Sequence, residues 1–466
     1  MALSRPIIFE LGPDFYDAVQ AAPFPKSEPR FLNQEKAQFL DLQDLQTAAD
    51  WIRRLHHFEA WPDNLKEPLA LRYHGHQFQH YNPDLGDGRG FLFAQFEGKD
   101  GKIYDLGTKG SGQTPYSRAG DGRLTLKGAV REALATELLE SLGVNTSKTF
   151  CFFETGEALQ RGDEPSPTRS AVLTRMSHSH IRIGTFQRLA FLGQKENLLK
   201  LLKYCCRHYF PHLSSSEQNH PAEFLTEVTS RLAKLSAQYM ISGFVHGVLN
   251  SDNINITGES FDYGPYRFLP IYDPTFTAAY FDQAGLYCFG RQPTAIHWNL
   301  TQLAESLKLS SPDLNSEGIL SEFGVIFAHE VIRLFFHRLN LTPQDEEKND
   351  ELLSRFYLFL AKSKIGYEQA FYDLFSGLDE SRLARSPGSA FYQGEEFENL
   401  KQCLKSFSVA DSQKIQNKYF QSSKACTLLI DEIENIWSAI AQNDDWSIFN
   451  QKIDQIRAFR GIYKLF

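Results

Sequence analysis

Paired cysteines are missing from this chain. Its six cysteines, Cys151, Cys205, Cys206, Cys288, Cys403 and Cys426, contain no C-x-x-C spacing, which leaves a zinc site or a redox dithiol without support. Scattered cysteines suit a reducing compartment. Long apolar runs are missing too, since no stretch approaches the roughly 18 residues of a membrane helix. The first turns of the chain hold Glu10, Asp14 and Asp17 and no apolar run, so neither a secretory signal nor an Arg-rich transit peptide is expected, and a cytoplasmic location is. Positive charge is in deficit: 48 Lys and Arg face 57 Asp and Glu, a net charge of −9. That argues against a broad nucleic-acid-binding surface while allowing a local basic pocket for a polyphosphate. Repeats at solenoid periods are absent as well.

What is present is material for a large enzyme. At 466 residues the chain exceeds one ordinary core, so two or three packed units, or one bilobal body, are expected. Residues 1–64 read as an N-terminal extension, with an irregular arm around Pro23, Pro25 and Pro29 and a helix over 34–57. Residues 65–180 read as a small β-rich unit. Strands are expected from Phe91 to Glu97, Lys102 to Lys109, Lys148 to Glu154 and Ser170 to Met176. The spacing of Leu126, Ala129, Val130, Ala133, Leu134 and Leu138 predicts one main helix, ended by Gly143. Residues 181–310 and 311–466 read as helical, with helices over 185–192, 195–211, 221–242, 300–308, 317–340, 344–364, 366–376, 393–408 and 424–459.

The chemistry concentrates in His246-Gly-Val-Leu-Asn-Ser-Asp252-Asn253-Ile-Asn-Ile, followed by Asp262-Tyr-Gly. An apolar helix precedes this loop and a short Ile-rich strand is expected after it. An Asn oxygen and an Asp carboxylate suit Mg²⁺, which takes hard oxygen ligands, and a carboxylate beside them can accept a hydroxyl proton. The order is a compressed form of the protein-kinase pair His-x-Asp-x-x-x-x-Asn and Asp-Phe-Gly; an Asn/Asp-rich hairpin turn is the plainer alternative. Upstream, Gly86-Asp-Gly88-Arg89-Gly fits a loop that approaches phosphate closely, or an ordinary turn. Lys109 at a strand end and Glu132 on the following helix fit the kinase Lys–Glu pair, or a solvated lysine and a polar helix face. Arg175 and Arg182 flank a polar turn and can grip a polyphosphate through forked hydrogen bonds. His74, His76 and His80 lack the spacing of a zinc helix and are expected to hydrogen-bond a loop.

Taken in order, these segments resemble the SelO (selenoprotein O, YdiU) family of protein adenylyltransferases. The resemblance rests on Gly75-His-Gln-Phe78, Leu85-Gly-Asp-Gly-Arg89, Lys109-Gly-Ser-Gly-Gln-Thr-Pro-Tyr-Ser-Arg118, Asp121-Gly-Arg123, Arg131-Glu132, Ser179-His-Ile-Arg182-Ile-Gly-Thr-Phe186, His246 to Asn253 and Asp262-Tyr-Gly-Pro265. It implies an α+β, bilobal protein-kinase-like fold: an extension 1–64, a β-rich N-lobe 65–180, a helical C-lobe core 181–310 and a helical C-terminal region 311–466. It implies ATP bound in the sense opposite to kinases, and AMP moved to Ser, Thr or Tyr hydroxyls of proteins with release of pyrophosphate. By the match, Gly86, Gly88, Arg89, Lys109, Asp121, Gly122, Glu132, Arg175, Arg182 and Asp262 serve the nucleotide. Asn253 and Asp262 hold Mg²⁺ or Mn²⁺, and Asp252 is the proton acceptor. Protein substrates, and neither nucleic acid nor membrane, are the partners implied. A γ-phosphotransferase and a non-catalytic nucleotide-binding scaffold (a pseudokinase) are the alternatives. The chain departs from the family in its polar surroundings of Gly75-His-Gln-Phe78, in Ser251 where Thr is common, and in ending at Phe466 without the Cys- or selenocysteine-bearing tail of many members. A redox role attached to that tail is therefore not carried over by the resemblance.

Overall fold

The computed structural model describes residues 6–213, 216 and 219–463, so the last three residues of the chain's end lie outside the described ones. An eight-stranded antiparallel sheet organises the first part. Strands β1 (Tyr16–Ala18), β2 (Glu28–Leu32) and β3 (Leu69–Leu71) come first, then a separate hairpin of β4 (Gly75–Gln77) and β5 (His80–Asn82). The remaining sheet strands are β6 (Leu92–Glu97), β7 (Ile103–Lys109), β8 (Leu124–Thr125), β9 (Lys148–Leu159) and β10 (Thr168–Ser177). They lie in the order β1-β3-β6-β7-β10-β9-β2, with β8 added to β10.

Both ends of that order, β1 and β2, are drawn from residues 1–64. Neither carries an alternating apolar pattern, and β2 contains Pro29. An edge strand tolerates proline because one side of its ladder is unpaired, so the segment reads as irregular although it pairs. The helix expected over 34–57 is two, α1 (Gln34–Phe39) and α2 (Ala48–Leu55). Asp41 turns left-handed between them (φ 55°), and α2 opens on its own capping box of Thr47 and Asp50. Trp51 and Trp61 then cover one face of the sheet together with Phe91, Phe93 and Phe96.

The opposite face carries α3 (Leu126–Ser141), capped by the Thr125 hydroxyl, which accepts from the Gly128 N–H. Twelve of its sixteen residues are buried, because α3 is wedged between the sheet and the C-terminal end of the chain. Helices α4 (Ile183–Phe191), α5 (Lys195–His208) and α6 (His220–Ile241) follow the sheet. Next, β11 (Phe244–Val245) and β12 (Arg267–Phe268) pair and bracket the loop 246–266. The short strand expected after Asn253 is only an isolated bridge between Arg182 and Asn255. Arg182 is the residue that opens α4, so no ladder can propagate from it.

The remaining helices are α7 (Gln292–Leu307), α8 (Ser316–Leu339), α9 (Glu346–Ser363), α10 (Tyr367–Asp373), α11 (Glu380–Arg385), α12 (Glu395–Leu404), α13 (Ile430–Asn443) and α14 (Ser447–Phe459). α7 starts at Gln292 rather than 300 because Pro293 sits in its first turn, where a missing N–H costs nothing. The run expected over 424–459 breaks at Asp444, which is left-handed (φ 50°). Among the described residues no helix is long and apolar enough to cross a membrane.

α14 closes the far side of α3. The buried Glu137 carboxylate takes two hydrogen bonds from Arg457, at 2.8 and 2.7 Å, and one from Arg460 at 2.5 Å. Removing both arginines strands a buried carboxylate, an event worth about 3–5 kcal/mol. Arg457→Ala with Arg460→Ala is accordingly expected to lower the thermal midpoint clearly, while a double change at two exposed arginines leaves it in place. Differential scanning fluorimetry checks this, and an unchanged midpoint contradicts the clamp.

Candidate active site

Sheet register places the first charges. In the β7–β10 pair Lys109 stands opposite Leu173 and Gly107 opposite Arg175. Directly opposed residues share a face and alternate ones return to it, so Lys109 and Arg175 project from the same face toward α3. Glu132, fully buried on α3, meets both. Lys109 Nζ donates to its Oε2 at 2.7 Å and Arg175 Nη2 to its Oε1 at 2.8 Å. The polar-face alternative for Glu132 and the solvated alternative for Lys109 are both excluded by this burial.

The second set comes from loop 246–266. His246 is fully buried, its N–H donates to Gln292 Oε1 at 2.9 Å, and its Nε2 lies 3.0 Å from the Phe261 carbonyl. The imidazole therefore ties the start of the loop to the residue before Asp262. Asp262 itself is left-handed (φ 62°), a region Asp tolerates better than most residues. Its Oδ1 lies 2.7 Å from Lys109 Nζ and 3.2 Å from Arg175 Nη2. Two cations and two carboxylates thus form one closed quartet joining the sheet, α3 and the loop. Asn250 steadies the other limb: its Oδ1 accepts from the Phe78 N–H at 3.0 Å and from Tyr287 OH at 2.8 Å. Ser251 Oγ accepts from the His76 N–H and donates to Gln187. His74 and His76 contact Tyr81 and Gln187, and His80 the Phe78 carbonyl. His74 thus bonds β5, His76 bonds α4 and only His80 bonds a turn, so the expected loop-bonding role holds for His80 alone; among the described residues no group of three or more His, Cys, Asp or Glu is placed to hold a metal.

A cavity of about 690 Å³ opens over these groups. The Gly-rich loop forms one wall. A Cβ on Gly86 would lie 2.3 Å from the Tyr116 ring and one on Gly88 2.8 Å from the Tyr116 carbonyl, so the loop packs against 114–122 only because these residues are glycine. Seven lining side chains are Lys or Arg and four are Asp, a positive surplus of three on a chain of net charge −9. Arg182 is buried beneath the Tyr73 and Phe261 rings, at 4.2 and 4.9 Å. It donates to the Asp252 carbonyl at 2.9 Å and to Asp87 Oδ1 at 3.1 Å.

The two acids facing the cavity differ in ionisation. Burial disfavours charge on Asp262, yet Lys109, Arg175 and Arg89 outweigh it and hold the carboxyl well below its usual range. Burial dominates at Asp252 and raises it to about 6, against the opposing pull of Arg182. Asp252 lines the cavity, and its Oδ1 is buried with no hydrogen-bond partner among the described residues.

Gly86, Gly88, Arg89, Lys109, Arg175, Arg182, Asp252 and Asp262 line this one cavity. Asp121 and Gly122 line it as well, Gly122 buried and Asp121 exposed and paired with Arg161 at 2.8 Å. Glu132 stands behind Lys109. Asn253 is half-buried next to Asp252 and does not line the wall; its Nδ2 donates to the Val248 carbonyl at 3.0 Å, which leaves Oδ1 as an acceptor. Asp87 is a site residue that sequence reasoning missed: it anchors Arg182 and accepts from the Leu71 N–H at 3.0 Å. A carboxylate inside a phosphate-type loop was the available signal. Gln187 and Gln292 stand far from the motif in sequence and carried none.

Such a cavity, cationic, glycine-walled and holding a raised carboxyl, is what a nucleotidyltransferase requires. The family "Protein adenylyltransferase SelO" matches residues 2–457, and the chain belongs to it. It is 43% identical to the Protein nucleotidyltransferase YdiU of Trichormus variabilis, over 97% of this chain and 95% of the relative. It is 42% identical to the protein of the same name from Synechocystis, over 97% and 98%. To that of Marinomonas it is 35% identical, over 80% and 76%. The chain is therefore an enzyme of the nucleotidyltransferase class.

Proposed function

We propose that this protein transfers AMP from ATP to Ser, Thr or Tyr hydroxyls of other proteins and releases pyrophosphate. In this reading the scaffold is bilobal and kinase-like: residues 1–64 extend an N-lobe of 65–180, 181–310 form the C-lobe core, and 311–466 add helices. The observation that carries the reading is the convergence of Lys109, Arg175, Arg182, Asp252 and Asp262 on one cavity. A triphosphate brings about four negative charges, which preorganised cations stabilise without reorganisation.

Arg89, Lys109, Arg175 and Arg182 bind the phosphates, and the backbone of Gly86 and Gly88 lets them approach closely. Glu132 holds Lys109 in place. Asp121 and Gly122 meet the nucleotide. The acceptor oxygen attacks the α-phosphorus while the bond to the β-phosphate oxygen breaks. The hydroxyl proton passes to Asp252 Oδ1, and pyrophosphate carries away the leaving electron pair. The oxygen donors of Asn253 and Asp262 fit a hard divalent cation, and these two residues would hold Mg²⁺ or Mn²⁺. Such an ion, when bound, neutralises phosphate charge. A cytoplasmic setting with protein substrates, and no nucleic-acid or membrane partner, belongs to the same reading.

ATP labelled at the α-phosphate, run beside ATP labelled at the γ-phosphate, tests the proposal. Label is expected on protein from the α position alone. Label from the γ position alone would make the enzyme a phosphotransferase, and label from neither would leave a nucleotide-binding scaffold.

A further inference from the structure

A second cavity, of about 500 Å³, opens beside the first and shares Leu85, Tyr116 and Arg118 with it. Its walls are of two kinds. Pro83, Pro115, Leu85 and the exposed Leu192 are apolar, and Arg72, Arg118 and Arg188 are cationic. The charges are unequally committed. Arg72 is spent on Asp17, at 2.9 and 2.5 Å, and Tyr116 OH also donates to that carboxylate. Among the described residues Arg188 has one hydrogen-bond acceptor, the Asp14 carbonyl at 3.3 Å, while Asn197 donates to the Asp14 carboxylate. Arg118 is exposed, holds a left-handed backbone (φ 52°) and makes no hydrogen bond or ion pair among the described residues. Against these two guanidinium groups stands one further wall acid, the exposed Asp84.

His74 lines this cavity, and its backbone and that of Asp252 both close on Gly184, where an added Cβ would lie 2.1 Å from the His74 carbonyl and 3.6 Å from Asp252 Cα. Burial, and after it the neighbouring Arg72, disfavours charge on Arg188. A counter-charge arriving in this cavity would relieve that strain on Arg188.

We propose that this second cavity seats an acidic side chain of the acceptor protein, next to the hydroxyl presented to Asp252, so that the enzyme prefers hydroxyls in acidic, extended segments. The proposal rests on the transfer reading above. Apolar walls accommodate the chain of such a segment, and Arg188 and Arg118 donate forked hydrogen bonds to its carboxylate.

The test uses the full chain, ATP labelled at the α-phosphate, and two Ser-containing peptides that differ only in flanking Glu or Gln. The Glu peptide is expected to show a KM roughly tenfold lower at equal kcat, the equivalent of one charge contact. Arg188→Ala should erase the difference and Arg188→Glu should invert it, with the KM for ATP and the rate on the Gln peptide kept. Equal KM values for both peptides in the wild type would overturn the proposal, as would a preference that survives both substitutions. Unchanged peptide KM with altered product inhibition by pyrophosphate would assign the cavity to the leaving group instead. Should Arg188→Glu fail to fold, the wild-type contrast and Arg188→Ala still decide. Failure to label either peptide or any protein overturns the transfer reading itself, an outcome distinct from loss of the preference alone.

Discussion

Replacing Lys109 with methionine is expected to lower turnover by about two to three orders of magnitude, the usual consequence of losing one preorganised electrostatic contact, roughly 3–4 kcal/mol. Met keeps the length of the stem, and Arg175 remains to neutralise Glu132 and Asp262, at 2.8 and 3.2 Å. The folded state should therefore survive, and the loss should fall on kcat more than on ATP affinity. Steady-state rates together with far-UV circular dichroism check this. Near wild-type turnover from a folded Lys109→Met protein would mean that the quartet is a structural brace and nothing more.

Asp252→Asn has a comparably large expected effect, about two to four orders of magnitude in rate, the range of a lost general base. Its pH behaviour is more diagnostic. Asp252 must be ionised to accept a proton, and burial raises its carboxyl to about 6. The kcat/KM of the wild type should thus rise with pH through about 6, and that limb should vanish in Asp252→Asn. Stability runs the other way. A carboxyl whose folded value lies above the ordinary 3.8 favours the folded state while protonated, and the benefit is lost as pH rises toward 6. Above that, the wild type holds an ionised, partnerless oxygen in the core. Asp252→Asn should accordingly be the more stable protein at pH 8, by thermal melting, and the less active one. A variant less stable than the wild type at pH 8 would show that Asp252 is held by contacts that need its charge.

Local signals were the ones the sequence carried well. The spacing of Leu126 to Leu138 was enough to place α3, and the Lys109 strand and the Asp262 turn fall where their neighbours dictate. Lys109, Glu132, Arg175 and Arg182 could be named from the chain because each sits in a distinctive short segment. That they touch one another depends on the β7–β10 register, which no single segment contains. Edge strands β1 and β2 were illegible for the same reason. Their stability comes from partners at β3 and β9 and not from their own pattern. Helix breaks at Asp41 and Asp444 turned on a left-handed backbone that Asp permits without announcing. The roles of His246 and Asp87 required knowing what lay behind each, namely Phe261 for one and Arg182 for the other. Asn253 stands beside the cavity wall, where its Nδ2 donates to the Val248 carbonyl and its Oδ1 is left as an acceptor.

The most direct measurement is a crystal structure with an ATP analogue whose α–β bridge is a methylene group, solved with Mg²⁺ present. The α-phosphorus is expected closest to Asp252, with the distal phosphates turned inward among Lys109, Arg175 and Arg182. A γ-phosphorus beside Asp252, or a nucleotide bound away from these residues, would contradict the proposed transfer.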